Sequence, residues 1–201
     1  MRFVERDGID VASTRNYAAT VAKGEYLLFL DADIEVVTTS WLEEMLMYAQ
    51  REDVGAVGAM IYNLDKTVYH AGIILGAGAN HLAGFQFYGK DKGTVGYMGR
   101  LCYSQNVSAV SADCIMVKSD DFEKVGGFCE ELVSYLCGID FCLRLRNFGK
   151  LIVWTPYAEL CKCNEGKVVE VFSDVARFRT LWAKQLDTCD PYYNPNFICD
   201  K

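Results

Sequence analysis

The chain has 201 residues, of which 51% are hydrophobic, so it is long and apolar enough for one α/β domain and is not intrinsically disordered. Its formal net charge of -7, with no cluster of Lys and Arg residues, argues against binding to nucleic acid. No apolar segment reaches the roughly 18–20 residues that span a membrane and no signal peptide opens the chain, so we expect a cytoplasmic protein and leave peripheral contact with the inner membrane face open.

The first predicted elements are a short strand, a helix and a buried strand. The strand covers Arg2 to Arg6, and an Ala-rich helix runs from Val11 to Lys23, with Gly24 as its C-terminal stop. The unbroken apolar run from Tyr26 to Leu30, bounded by Gly24 and by charged residues, is typical of a strand buried on both faces in a mainly parallel sheet.

Two carboxylates, Asp31 and Asp33, follow this strand at once. Side chains alternate along a strand, so both acids are predicted to point the same way and Ala32 the opposite way. Adjacent carboxylates repel unless a cation lies between them or one is protonated. Because ligands bind at the carboxyl ends of strands in open α/β sheets, the pair indicates a divalent-metal site that holds a phosphorylated ligand. A solvated acidic loop after a core strand is the alternative.

The next part of the chain predicts a helix and then a β-hairpin. Ser40 to Glu43 reads Ser-x-x-Glu, a capping box at the start of an amphipathic helix. Val54 to Tyr62 is a predicted strand, 63–66 is a turn, and Thr67 to Leu75 returns as a second strand. We expect His70, in the returning strand, to be a hydrogen-bonded structural residue.

The glycine-rich stretch from Gly76 to Gly99, which contains His81, is longer than an ordinary connection and is predicted as a mobile or substrate-covering loop. Strands and helices continue to alternate after it, which favours an α/β fold. These later elements are a β-like segment from Asn106 to Val117, a helix from Asp121 to Val125 capped by Ser119 and stopped by Gly126-Gly127, a helix from Ile139 to Phe148, a strand from Leu151 to Thr155 closed by Pro156, and a helix from Asp174 to Leu186 with Val175, Phe178, Leu181 and Trp182 on one face. We predict one domain over 1–188 and an aromatic, proline-fixed tail over 189–201.

The nine cysteines are odd in number and have no framework spacing, which predicts free thiols in a reducing compartment. A zinc site remains an alternative, although its spacing fits no paired C-x-x-C scheme. The cysteines available for it are Cys129, Cys137, Cys142, Cys161 and Cys163.

Four segments in this order resemble family 2 glycosyltransferases, above all the bacterial enzymes that build rhamnose-containing and O-antigen polysaccharides. The segments are Lys23–Asp33, Val125–Leu132, Gly138–Arg146 and Trp154–Leu160, and Gln105–Val110 and the Asp190–Asn196 part of the tail match the same subgroup. The resemblance implies a truncated A-type glycosyltransferase fold, with a Rossmann-like mixed sheet flanked by helices.

The resemblance also implies the chemistry, which is metal-dependent transfer of a sugar from a nucleoside-diphosphate sugar to a saccharide acceptor. Asp33 would ligate Mg²⁺ or Mn²⁺, and Asp31 would contact the metal, the sugar or the ribose, directly or through water. Asp113 and His81 are the candidate acceptor contacts, and Asp113 has a surface charge as its alternative role.

Three departures from the family pattern concern the reaction centre. The chain starts where the third strand of the family is expected, without the strands that hold the nucleobase. The position of the family's catalytic base is Gly138, which leaves Asp140, a structural residue in the family, as the catalytic candidate. Lys162-Cys163 stands where the family has a His-His pair, and Cys129 stands where an acid is usual. We therefore expect little or no transferase activity from this chain alone.

A missing first strand would expose the edge of the 27–30 strand, so we expect a second copy, a partner chain or a rearranged segment to cover it. Two other functions remain open, a non-catalytic sugar- or nucleotide-binding or assembly module and a haloacid-dehalogenase-like phosphatase. Four further side chains have structural interpretations: Arg144 and Arg146 as ion pairs on a helix surface, and Tyr192 and Tyr193 as packing or interface residues, with sugar stacking as the alternative.

Overall fold

The computed structural model describes residues 10–78, 80–164, 171–194 and 196, so the predicted strand at 2–6 lies outside the described residues. The helices are α1 (Val11–Val21), α2 (Trp41–Ala49), α3 (Ser119–Lys124), α4 (Leu136–Asn147) and α5 (Phe172–Leu186). The strands are β1 (Tyr26–Leu30), β2 (Ile34–Val36), β3 (Val54–Tyr62), β4 (Val68–His70), β5 (Ile73–Leu75), β6 (Ala83–Phe85), β7 (Gln105–Val107), β8 (Cys114–Lys118) and β9 (Leu151–Lys162).

The main sheet has the order β1-β8-β3-β9-β2, with β4 added to β3 and β7 added to β9. Strands β3 and β9 pair in parallel, whereas the other pairs of this sheet are antiparallel. The predicted mixed sheet is therefore confirmed. The expectation of mainly parallel surroundings for β1 was wrong, because its partner in the described part is the antiparallel β8.

Alternating side chains of the sheet feed two apolar clusters, one on each face. Leu27 and Phe29 of β1 join the larger cluster under α1, α3, α4 and α5, which includes Phe122, Phe141 and Trp182. Tyr26 and Leu28 point to the smaller cluster under α2, around Met45 and Ile61. The sheet thus has helices on both faces, which leaves its ends free for a site.

Strand β9 continues past Pro156, so the predicted end of this strand was wrong. The register with β3 jumps from Ala59 opposite Thr155 to Met60 opposite Glu159, so 156–158 form a bulge. Pro156 has no N–H to donate to a neighbouring strand, and a bulge is a position at which a strand tolerates this. The bulge lets β9 run on to Lys162. This extension decides the composition of the site.

Several predicted element ends also shift. Helix α1 ends at Val21 instead of Lys23 because Ala22 is already extended. Ser40 makes no side-chain cap, and Ser119 begins α3 and donates its hydroxyl to the Gly24 carbonyl. The predicted returning strand divides into β4 and β5 at Gly72, whose φ of 92° interrupts it.

The glycine-rich 76–99 stretch contains the short strand β6, which pairs with β5. Helix α4 begins at Leu136, earlier than predicted. On α5, Phe178 and Trp182 are buried as expected, whereas Leu181 is exposed.

Candidate functional site

The Asp-Ala-Asp segment crosses one end of the sheet. β1 ends at Leu30 beside the start of β8, and β2 then pairs with the last residues of β9. The Asp31 N–H donates to the Asp113 carbonyl at 2.9 Å, and the Cys163 N–H donates to the Asp33 carbonyl at 2.7 Å. These bonds place Asp31 and Asp33 between the residue before β8 and the end of β9.

Two basic side chains meet the acids at this end of the sheet. The Arg15 guanidinium of α1 donates to the Asp31 carboxylate. The Lys162 ammonium lies between two carboxylates, 3.4 Å from Asp33 Oδ2 and 3.3 Å from Asp113 Oδ2. The Lys162 side chain is 7% exposed, while Asp33 and Asp113 are 31% and 19% exposed, so these pairs are only partly shielded from water.

The mutual electrostatics of this acid–base cluster are visible in two pKa shifts. Burial alone would lower the pKa of Lys162, but Asp113 and Asp33 together raise it above its usual value, so the ammonium stays charged. Burial raises the pKa of Asp31 more than Arg15 lowers it, and the nearby Asp113 charge raises it further. Both shifts are typical of acids and bases crowded into one partly buried space.

A cavity of about 260 Å³ lies against this cluster. Arg15 and Lys162 line it, while Asp31 and Asp33 contact those two basic side chains. The other polar residues that line the cavity are Tyr69, Ser111, Asp113, Ser134 and Tyr135. The cavity is therefore lined by two cationic side chains, Arg15, which pairs with Asp31, and Lys162, which pairs with Asp33 and Asp113.

Tyr69 and His70 are neighbours on β4 and contact different residues of the cavity lining, Lys162 and Ser111 respectively. The Tyr69 ring lies with its centroid 4.9 Å from Lys162 Nζ, and burial followed by the Asp113 charge raises the pKa of its phenol. His70 is fully buried, with Nδ1 3.0 Å from the Ala59 carbonyl and Nε2 accepting the Ser111 N–H at 3.0 Å. The imidazole is therefore a structural residue that holds the loop before β8.

Gly138 lines the cavity but has no room for a side chain. A Cβ atom at this position would lie 2.7 Å from Ala112 Cβ and 3.1 Å from the Ala112 nitrogen. Contacts under 3.0 Å force the backbone or the neighbour to move. The position at which the resemblance places a catalytic base therefore has no side chain that could accept a proton and no space for one.

Asp140 joins α4 to α5. The residue is 3% exposed, and its carboxylate accepts from Trp182 Nε1 at 2.9 Å and from Arg144 Nε at 2.9 Å. Arg144 therefore pairs inside the domain, against our expectation of a surface ion pair. Arg146 donates to Ser108 Oγ at 3.0 Å and lies over the Tyr192 ring, so this tail tyrosine packs against α4.

The structure brings Asp113 to the site and leaves His81 outside it. His81 is exposed in the turn before β6 and does not line the cavity. Sequence reasoning missed Arg15 and Tyr69 and treated Lys162 only as a departure. Arg15 had a signal, because it follows Val11 and the buried Ala12 by four and three residues and so shares their helix face.

In the described ranges, no group of three or more His, Cys, Asp and Glu side chains is arranged to hold a metal ion. All eight cysteines of the described part are free thiols, which gives no support to a zinc site. Over the same ranges, none of the helices has the length and apolar character needed to cross a bilayer.

The fold belongs to the A-type glycosyltransferases. It matches the crystal structure of GalNAc-T7 with UDP, GalNAc and Mn²⁺ with a TM-score of 0.66 and 12% identity, over 89% of this chain and 36% of that chain. It also matches the mannosyltransferase PcManGT from Pyrobaculum calidifontis in complex with GDP-Man and Mn²⁺, with a TM-score of 0.52 and 16% identity, over 92% of this chain and 45% of that chain.

The chain is a member of glycosyl transferase family 2, since the family model of that description matches residues 2–126. It is 36% identical over 200 residues to the uncharacterized protein y4gI of Sinorhizobium fredii (strain NBRC 101917 / NGR234), over 94% of this chain and 22% of that protein. It is 34% identical over 191 residues to the O-antigen biosynthesis protein RfbC of Myxococcus xanthus, over 90% of this chain and 14% of that protein.

A third relative is the N-acetylglucosaminyl-diphospho-decaprenol L-rhamnosyltransferase of Mycobacterium tuberculosis (strain ATCC 25618 / H37Rv), 32% identical over 111 residues, 53% of this chain and 36% of that protein. The chain thus spans between 14% and 36% of the length of these relatives. Membership of the family favours a transferase ancestry over the phosphatase that the Asp-x-Asp motif also allowed.

Proposed function

We propose that this chain is a nucleotide-sugar-binding glycosyltransferase domain of bacterial polysaccharide synthesis, with weak or no transfer activity by itself. The observation that carries the proposal is the cavity at the end of the sheet, where Arg15 and Lys162 lie between Asp31, Asp33 and Asp113. Two relatives, an O-antigen biosynthesis protein and a rhamnosyltransferase, support the polysaccharide context.

The cavity is suited to the diphosphate and sugar part of such a ligand. Arginine and lysine both bind phosphate oxygens, arginine through a planar fork and lysine as a point charge. In the family reaction these cations would also stabilise the charge that grows on the departing nucleoside diphosphate. The hydroxyls of Ser134 and Tyr135 on the same wall can hydrogen bond to a sugar.

Weak activity follows from the lack of a free base. Transfer with inversion needs a carboxylate that takes the proton of the acceptor hydroxyl, and its loss typically costs roughly 10²–10⁴ in rate. The carboxylate that lines the cavity in the described part, Asp113, is paired with Lys162. This observation also favours the second candidate function, a non-catalytic sugar- or nucleotide-binding or assembly module.

The family expectation of Mg²⁺ or Mn²⁺ at Asp33 and Asp31 does not fit the donors present. Each of these carboxylates already has a basic partner, Lys162 and Arg15 respectively. The Mn²⁺ in the two similar solved structures belongs to those proteins. We therefore assign binding to the side chains of this chain and derive no step through a metal.

The test is nucleotide binding measured separately from turnover. UDP, GDP and dTDP are titrated by thermal shift and calorimetry, and at 100-fold excess over Kd the ligand should add about 2.7 kcal/mol, or roughly 5–10 °C in Tm. Arg15→Met should weaken binding by about tenfold or more, since it removes a charged donor. Arg51→Met, at an exposed pair with Asp53, is the matched control.

Turnover is followed as release of nucleoside diphosphate from UDP-, GDP- and dTDP-sugars, with a saccharide acceptor or with water. We expect a rate near the blank. A rate well above the blank would contradict the inactive state, and the absence of binding to any nucleotide would contradict the proposed function. Hydrolysis of a generic aryl phosphate would revive the phosphatase alternative.

A further inference from the structure

We propose that Lys162 is a built-in cation that takes the place of a divalent metal ion, so that this chain binds a diphosphate without metal. The inference rests on the proposed function and goes beyond it, because it assigns to one side chain the task that resemblance gives to Mg²⁺ or Mn²⁺. It concerns the ligand preference of the site and does not depend on whether sugar transfer occurs.

The first support is the position of the ammonium group. Lys162 Nζ lies 3.4 Å from Asp33 Oδ2 and 3.3 Å from Asp113 Oδ2, between carboxylates from two different segments. A cation shared by carboxylates of separate segments is the arrangement that a metal ion would otherwise supply. Here the bulge in β9 and the pairing of β2 with the end of β9 fix the cation in the backbone framework.

The second support is the charge count. Three carboxylates at one end of the sheet, Asp31, Asp33 and Asp113, would repel a diphosphate strongly. Arg15 and Lys162 offset two of the three charges, which leaves one net negative charge, and both side chains line the cavity with more N–H donors than these ion pairs use. A metal ion added between Asp33 and Asp113 would instead stand beside a buried ammonium of like charge.

The third support is the donor chemistry. In the part of the chain that the structure describes, no group of three or more His, Cys, Asp and Glu side chains is placed to hold a metal ion, so a metal would depend on Asp33, Asp113 and the phosphate oxygens of the ligand, with Lys162 already between the two carboxylates. The residue after Lys162 is Cys163, whose sulfur is a poor ligand for Mg²⁺ or Mn²⁺. The same geometry that disfavours a metal favours an anion, because Lys162 is a donor and has no acceptor.

The experiment is calorimetric titration of the whole chain with inorganic pyrophosphate and with UDP, GDP and dTDP, in EDTA and again in millimolar Mn²⁺. We expect Kd values that agree within about threefold between the two conditions, since no ion takes part in binding. Lys162→Gln should lose about tenfold or more in EDTA, because a charged hydrogen bond is removed. It should recover affinity in Mn²⁺, because Asp33 and Asp113 are then free for an external cation.

Lys162→Arg keeps the positive charge and is expected to bind within a few-fold of the unmodified chain in EDTA. If Lys162→Gln does not fold, Lys162→Arg still tests the site, because it alters the side chain and retains the cation. Lys66→Gln, in the exposed turn between β3 and β4, is the control for loss of a lysine elsewhere. Binding that appears only with Mn²⁺ would overturn the inference and leave the proposed function intact. Binding in neither condition would overturn both.

Discussion

At the scale of single residues, the buried His70 decides how the loop before β8 behaves with pH. Its ring accepts the Ser111 N–H and lies against the Ala59 carbonyl, a pattern that requires the neutral imidazole. Burial lowers the pKa of His70 from the ordinary 6.5 to about 4. Since the unfolded chain takes up this proton first, the free energy of unfolding should fall as pH is lowered from about 6.5 towards 4.

The His70 contribution should reach up to about 3 kcal/mol, with a slope of at most about 1.4 kcal/mol per pH unit. Urea unfolding from pH 7.5 to 4.5 measures this contribution when the unmodified chain is compared with the His70→Gln variant. The variant should be less stable at pH 7.5 but lose less on acidification, and the difference between the two curves isolates the imidazole from the carboxylates. Parallel curves would show that the pKa of His70 is the same in the folded and the unfolded chain, which would contradict the prediction.

Sequence reasoning named Asp31, Asp33 and Asp113 as candidates but not the basic side chains that pair with them. Asp31, Asp33 and Asp113 follow or precede strands, a position that sequence makes visible. The partners of these acids depend on which helix and which strand end meet in three dimensions. Arg15 comes from a helix that precedes β1, and Lys162 comes from a strand that continues beyond a proline. Helix periodicity places Arg15 on the face of Ala12, but no local pattern shows that this face meets Asp31 or that Lys162 meets Asp33 and Asp113.

At the scale of elements, Asp140 is the link between α4 and α5. Asp140→Asn keeps an acceptor for Trp182 but leaves Arg144, whose side chain is 24% exposed, without its charge partner. Removing one member of a buried pair costs about 3–5 kcal/mol, and partial exposure reduces the expected loss to about 2–4 kcal/mol. Chemical unfolding measures this loss.

The exposed Asp120→Asn on α3 is the control for the Asp140 variant and should change stability by no more than about 0.5 kcal/mol. Nucleotide affinity of Asp140→Asn should remain near that of the unmodified protein, because Asp140 contacts helices rather than the cavity. A folded Asp140→Asn protein of normal stability that no longer binds nucleotide would reverse this assignment and make Asp140 a ligand contact.

Element types were predictable from periodicity, and element ends were not. Strand β3 was predicted with its exact bounds, because nine apolar and small residues lie between charged and turn residues. Ser40 is the N-cap residue of α2 as predicted but makes no side-chain cap bond, whereas Ser119 lies inside α3 and its hydroxyl donates to the distant Gly24 carbonyl, a bond that competes with local capping. Pro156 failed as a stop because a bulge absorbs it.

At the scale of the whole molecule, β1 stands at one end of the sheet order, and β8 is its partner within the described residues. An open edge with an apolar strand is prone to pairing, so we expect this edge to be covered by a second copy, a partner chain or a rearranged segment. Light scattering after size exclusion and hydrogen exchange test the expectation together.

We expect slow amide exchange along 27–30, approaching that of the central residues 115–117 of β8, which serve as the internal reference. A dimer that dissociates on dilution, with faster exchange of 27–30 in the monomer, would identify the second copy as the cover. A monodisperse monomer with rapid exchange along 27–30 would contradict the expectation. Fold class was predictable at this scale from the ordered motifs, but strand order was not, because it depends on contacts distant in sequence.

The close contact between Gly138 and Ala112 means that the substitutions tolerated at 138 depend on the residue at 112. An acid introduced at 138 meets the Ala112 methyl group at once, so that substitution alone is penalised before any catalytic gain can appear. Trimming Ala112 to glycine removes the 2.7 Å contact with its methyl group and leaves the 3.1 Å contact with its backbone nitrogen. An acidic side chain at 138 therefore needs a second change at 112 and a small shift of the backbone there before it can be accommodated.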